Sequence, residues 1–557
     1  MTLFLTNSNK RVYPSAKKGS YKKPYIAQGE TFAYQVSIYN DSENLLHISL
    51  NIEGKFKHII RACECVLSVG HTTWVPLEEI DGVNEYLVPE ILRPTNKMDV
   101  SPFSTVSFWV TVSEIDEAGD TFDTINVKWT VDDKPEEYEE AGKAEYYISD
   151  FKINKPKSLP ALHWFYADAI SDYYKLKLWS DEFWAMCKKW MENYSSHGMT
   201  HIYLPLFTPP LDGIKKPTQL VKVKILNKDA EPVNRKFAFD FTDAKKWVKM
   251  AKECGIEGFE CVHLFTQWGV KNPIRIYLDT EFNLTPTNVK LYDRDIELNS
   301  PEDKANLAVD VEGEATGPEY RNFLSQFFPA FKAFCEEMGI YNDVWFHVSD
   351  EPSLEHLENY GKAYKLLSEL KPDIKIMDAL SDREIVDEVL KIMPEGAIFM
   401  PIPSIEPETF NDITHGAYFC CGPRGRFINR FFDTPLQKTR MLGAIMYKKN
   451  VDFFLHWGYN YYYISQKREL VDPYKTNDGG VYPNFGSGDP FVVYPGEEGP
   501  IDSIRWENFY DSLQDFYLLD NLGIDRESDI LKDLITYKDF PRDGDWIWNL
   551  REKLLKG

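Results

Sequence analysis

Val344-Trp345-Phe346-His347-Val348-Ser349-Asp350-Glu351-Pro352 is an apolar, β-prone run that stops at two adjacent carboxylates and a proline. A short apolar run ending in a turn signal reads as a buried strand. A buried strand that delivers an Asp-Glu pair to its carboxyl end is where a barrel enzyme places acid-base chemistry. The same residues also describe a plain strand-to-helix junction, because acids in a first helical turn suit the helix dipole. The surrounding chain decides between the two.

Outward from this run, strand-like and helical patterns alternate from Leu162 onward. Apolar runs lie at 162–167, 201–207, 259–265, 344–348, 374–378, 398–402, 417–421 and 451–456. Between them, helical patterns cover 181–194, 242–254, 319–338, 353–370 and 435–449. In the third of these, Tyr320, Phe323, Leu324, Phe327, Phe328, Phe331 and Phe334 recur at helical spacing, which marks a core-facing stripe rather than a ligand box. Eight strands interleaved with helices predict a (β/α)8 TIM-like barrel, with Asp350 and Glu351 at the end of its fourth strand.

The first 150 residues read differently. The segments 32–39, 48–52 and 106–112 alternate apolar and polar residues with period two, separated by Gly, Asp and Asn turns, which predicts an antiparallel β-sandwich. The acidic stretch 132–140 reads as a solvated loop between late strands. The expected organisation is therefore multidomain α and β: a sandwich over 1–155, a catalytic barrel over 156–530, and a helical extension over 531–557 packed on the barrel.

Composition excludes several classes. A chain of 557 residues suits two or three domains. With 63 Lys and Arg against 87 Asp and Glu, its formal charge of -24 repels polyanions, so no nucleic acid partner is expected. No run of 18 apolar residues occurs and no signal peptide is visible at Met1–Lys10, so no membrane contact and a cytoplasmic location are expected. Eight scattered cysteines and 11 histidines show no zinc-ligand spacing, so no metal or other cofactor is expected. Aromatic residues make up 15% of the chain, which suits either large flat core packing or stacking on the C–H faces of sugars.

Residues at the other strand ends favour the second use. Strand one ends in His163-Trp164-Phe165-Tyr166-Ala167-Asp168, strand three runs into His263-Leu264-Phe265-Thr266-Gln267-Trp268, and strand eight becomes His456-Trp457-Gly458-Tyr459-Asn460. Any one His-Trp pair is ordinary packing. Several that converge on one barrel mouth point to a carbohydrate pocket.

With these segments, and with the late Ser503-Ile504-Arg505-Trp506-Glu507-Asn508 run, the chain resembles glycoside hydrolase family 123 over nearly its whole length. The resemblance implies an exo-acting, retaining β-N-acetylgalactosaminidase with substrate-assisted catalysis, in which the sugar's acetamido oxygen attacks the anomeric carbon. It implies Glu351 as general acid/base and Asp350 as the carboxylate that orients and polarises the acetamido group. Physical chemistry agrees with that division. Ordinary retaining glycosidases hold two carboxyls about 5–5.5 Å apart across the scissile bond, whereas neighbouring residues on one strand sit on the same side of the sugar. Glu351 is expected to hold a proton, raised by burial and by Asp350, while Asp350 stays charged.

Trp457 and Trp268 are candidates for the apolar wall, and Tyr459 for a donor to the acetamido oxygen. Gln267, His456, Asn460 and Arg505 are candidates for sugar hydroxyls, Arg505 having a nearby acid as its alternative partner. His347 is a candidate partner beneath the pair, with a satisfied core histidine as the alternative. A glycan or small oligosaccharide is the expected partner, and a homodimer is compatible with the sequence. Three alternatives stay open: a two-carboxylate glycosidase, a β-N-acetylglucosaminidase, and a non-catalytic glycan-binding barrel.

Overall fold

The computed structural model describes residues 1–556 except 133, 135, 208–217, 268, 280–306, 312, 382, 394–395, 406–412 and 465–468. The chain divides into two compact units. Unit 1 comprises Met1–Leu159, Cys421–Asn450 and Asp472–Gly557, and unit 2 comprises Pro160–Cys420 and Val451–Val471.

Unit 1 contains two five-stranded sheets. One runs in the order Thr2–Asn7, Phe32–Tyr39, Thr105–Ser113, Lys57–Leu67, Leu87–Arg93; the other runs Tyr25–Gln28, Glu137–Lys152, Gly119–Val131, Leu46–Glu53, Lys97–Val100. Neighbours are antiparallel except Tyr25–Gln28, which pairs in parallel with Glu137–Lys152. Period-two alternation explains the faces. Leu46, Ile48 and Leu50 point into a core shared with Val36, Ile38, Phe108, Val110, Ile125 and Val127.

The linear division expected from the sequence is not the one observed, because late segments group with the sandwich. Ile504, at the start of helix Ile504–Asn521, and Leu436 pack with Ala33, Cys63, Leu92 and Trp109. Leu518 and Leu555 pack with Tyr25, Ala27 and Ile153. Helix Ile504–Asn521 is buried almost all round, and a helix of that kind needs apolar partners on more than one face.

Unit 2 carries eight strands where the sequence predicts them: Ala161–His163, His201–Leu204, Gly258–Cys261, Val344–Trp345, Lys375–Leu380, Ile398–Pro403, Gly416–Tyr418 and Phe453–His456. All their pairings are parallel, but they form separate sheets of three, three and two strands rather than one closed sheet. Single parallel bridges, Phe346 to Ile376 and Ser404 to Tyr418, lie between the pieces. A closed eight-stranded barrel is thus reached only in part by the backbone pairing.

The helices follow the sequence closely. Asp181–Ser196 starts at Ser180, whose hydroxyl accepts the Phe183 N–H. Pro318–Met338 begins with proline at its first position and stops at Gly339, whose φ of 62° suits glycine. Its aromatic stripe is buried throughout. Among the described residues, no helix is long and apolar enough to cross a membrane.

Candidate active site

The fourth strand loses regular pairing after Trp345, and side chains take over the work of the ladder. Val348 N–H donates to the Asp378 carboxylate at 3.1 Å, and Glu351 N–H donates to the Ala379 carbonyl at 3.1 Å. The fifth strand thereby fixes the backbone on both sides of Asp350. Glu351 adopts φ 41°, a left-handed conformation that non-glycine residues rarely take and that persists where surrounding contacts over-determine it.

The two carboxylates of the pair have different surroundings. Asp350 is 8% exposed, and the Gln267 amide donates to its Oδ2 at 3.2 Å. Glu351 is half-buried and accepts the Tyr418 hydroxyl from the seventh strand at 2.7 Å. Burial and the Glu351 charge push the Asp350 carboxyl well above its usual range, and the His347 charge only partly opposes them. Burial of Asp350, the more deeply buried of the two, therefore works against the charge expected of it.

Beneath the pair lies a buried polar cluster. His347 Nδ1 meets Asp378 Oδ1 at 3.0 Å, and its Nε2 meets Glu260 Oε1. Burial alone lowers a histidine, but here these two carboxylates override it and push His347 up to about 10. Trp164 Nε1–H also donates to Glu260 at 3.0 Å, and the Tyr360 hydroxyl donates to Asp378. The His263 ring stacks on His347 with centroids 4.2 Å apart; burial and the His347 charge push it well below the usual histidine range.

The strand-eight segment divides by role. Trp457 is half-buried beside Tyr461. His456 is fully buried, stacks on His163, and accepts the Gly458 N–H. Asn460 uses both ends of its amide on the Tyr166 backbone, at 2.8 and 3.0 Å. Tyr459 is fully buried, its hydroxyl directed to Asn193 and the Trp190 carbonyl and its ring against Phe165 and Tyr194, so its observed contacts are core contacts. Arg505 belongs to unit 1, where it pairs with Glu90 and donates to the carbonyls of Arg430, Gly488 and Phe491. That is the structural alternative left open for it. Trp268 lies outside the described residues.

A family model described as Glycoside hydrolase 123, catalytic domain, matches residues 164–522, more than half of the chain. The chain belongs to glycoside hydrolase family 123. The fold is also similar over its whole length to a family 123 glycoside hydrolase from Clostridium perfringens, whose structure is described for glycolipid glycan hydrolysis, with TM-score 0.69, 13% identity, and 100% of this chain and 97% of that one covered. At that identity the likeness is one of fold. A far weaker likeness, TM-score 0.29 at 9% identity over 89% of this chain and 60% of that one, is to an FMN-binding β-glucuronidase from Facaelibacterium prausnitzii L2-6, and it carries no argument. No curated protein sequence matches. As a family 123 member, this protein is a glycoside hydrolase.

Sequence reasoning did not single out Glu260, Asp378, Tyr418 or Tyr360 in this family 123 enzyme. A signal existed for the first two: each is a lone acid inside or closing an otherwise apolar, buried strand, where a charge requires a partner.

The His347 cluster makes stability depend on pH. A histidine raised to about 10 from 6.5 contributes stability that is full below about 6.5 and is lost as pH rises toward 10. Thermal midpoints measured between pH 6.5 and 9.5 are expected to fall, with a clearly shallower slope in His347→Gln. An equal slope in the variant would contradict the buried imidazolium.

Proposed function

We propose that this family 123 hydrolase is an exo-acting, retaining enzyme that releases terminal β-linked N-acetylgalactosamine by substrate-assisted catalysis. The observation that carries the reading is the pair itself: adjacent carboxylates on one strand, one buried and gripped by Gln267, the other turned by a left-handed backbone toward Tyr418. Glu260 and Asp378 are fully buried and committed to His347, which favours the sugar's own amide over either of them as nucleophile.

The acetamido N–H donates to Asp350. That hydrogen bond and the forming cation favour the Asp350 carboxylate, which drives the pair's shared proton to Glu351. The acetamido oxygen then bonds to C1 as the C1–O bond to the leaving group breaks, and Glu351 protonates the departing oxygen. Water attacks C1 of the oxazolinium, Glu351 takes its proton, and the acetamido group is restored with β configuration retained. Trp457 serves as apolar wall, and Gln267 as a positioning donor. The choice of the galacto over the gluco sugar rests on the family likeness. The two single bridges support a closed (β/α)8 arrangement of the eight parallel strands, with the pair at its carboxyl-terminal mouth.

A thiazoline analogue of N-acetylgalactosamine, which mimics the oxazoline, is expected to inhibit competitively at least about a hundredfold more tightly than the parent sugar. Absence of inhibition by the thiazoline would sink substrate assistance.

A further inference from the structure

We propose that Glu260, His347 and Asp378 form a buried positioning set that holds the Asp350–Glu351 pair and fixes the charge it faces while the sugar's cation forms. The inference rests on the reading of Asp350 and Glu351 as the reacting pair.

Its first support is mechanical. Asp378 accepts from both His347 Nδ1 and Val348 N–H, so one carboxylate fixes the two residues that lead into Ser349 and Asp350. Tyr360, from helix Leu357–Leu370, donates to the other Asp378 oxygen and stops the carboxylate from rotating. Glu260 closes the opposite side of the imidazole and is itself held by Trp164 from the end of the first strand. Third, fourth and fifth strands are therefore tied together by side chains at the level where the fourth strand has left the backbone ladder.

The second support is electrostatic. Two carboxylates flank one imidazolium, all three fully buried. Burial pushes the Asp378 carboxyl up, and hydrogen bonds from His347, Tyr360 and Val348 N–H oppose that shift. With both carboxylates ionised, one negative charge is left uncompensated below the pair. His263, stacked on His347, stays neutral and cannot offset it. Glu260 Oε2 has no hydrogen-bond partner among the described residues, so that carboxylate depends on His347 and Trp164. The groups that bear on Asp350 are Glu351, His347, Asp378 and Glu260, together with Gln267 as a hydrogen-bond donor. A surplus negative charge in a water-poor site favours a cationic intermediate and opposes a second negative charge on the pair.

The test is the pH profile of kcat/KM on a 4-nitrophenyl N-acetyl-β-galactosaminide. Its acid limb is the protonation that neutralises both members of the pair. Glu260→Gln keeps an oxygen for Trp164 and His347, and Asp378→Asn keeps one for Val348 N–H; each removes one negative charge. Both variants are expected to move the acid limb to lower pH by roughly one unit, with kcat reduced and KM nearly unchanged. If one variant fails to fold, the other gives the same readout. Loss of activity uniform across pH, with the limb unmoved while Glu351→Gln is inactive, would overturn the positioning role alone. Full activity of Glu351→Gln would overturn the reading of the pair and this inference with it.

Discussion

Replacing Glu351 with Gln is expected to lower kcat on glycosides with poor leaving groups by at least about a thousandfold, the scale of general acid catalysis. Gln keeps an acceptor for the Tyr418 hydroxyl, so the loss reports the missing proton rather than a collapsed site. The backbone conformation at φ 41° is held by Ala379 and Tyr418, which the substitution leaves in place. On a substrate with a good leaving group the first step needs little protonation, so the loss there is expected to be smaller. Equal losses on both substrates would mean that Glu351 acts on something other than the leaving oxygen, and unchanged activity would remove it from the reaction.

The second large effect is on stability. Arg505 is 1% exposed, and its five N–H groups are held by Glu90 and three carbonyls. Arg505→Met leaves the Glu90 carboxylate buried without its cation, and breaking a buried pair from one side costs about 3–5 kcal/mol. Denaturant unfolding of unit 1 is expected to shift by that amount. Adding Glu90→Gln should restore part of it, because the abandoned charge carries much of the penalty. A stable Arg505→Met with a raised KM would instead return Arg505 to the sugar.

The strands of unit 2 were legible because each is an apolar run too short for a helix, and the longer segments between several of them carry the 3.6-residue helical period instead. The stripe from Tyr320 to Phe334 was legible for the same reason, and it is buried as expected. The way these strands group was not legible: they pair as two sheets of three and one of two, with single bridges at Phe346 and Ser404 that no periodicity records. The grouping of helix Ile504–Asn521 with the sandwich was also hidden, because a helix buried all round names no single partner. At the site, the Asp350–Glu351 pair announced itself by adjacency. Tyr459 and Asn460 looked like sugar ligands because residue type does not tell a hydroxyl or amide aimed at substrate from one aimed at Asn193 or the Tyr166 backbone. His347 was left open between a partner beneath the pair and a satisfied core histidine, and its charge was not legible, since that charge comes from Glu260 and Asp378 on the neighbouring third and fifth strands.

The central claim is that the sugar supplies its own nucleophile. The most direct measurement compares turnover of 4-nitrophenyl 2-acetamido-2-deoxy-β-D-galactopyranoside with that of the matching β-D-galactopyranoside, which carries a hydroxyl at C2. Rapid release of 4-nitrophenol from the acetamido sugar and a rate at least about a thousandfold lower from the hydroxyl sugar is the predicted result, since an intramolecular nucleophile is worth that much or more. Comparable rates on both sugars would contradict it.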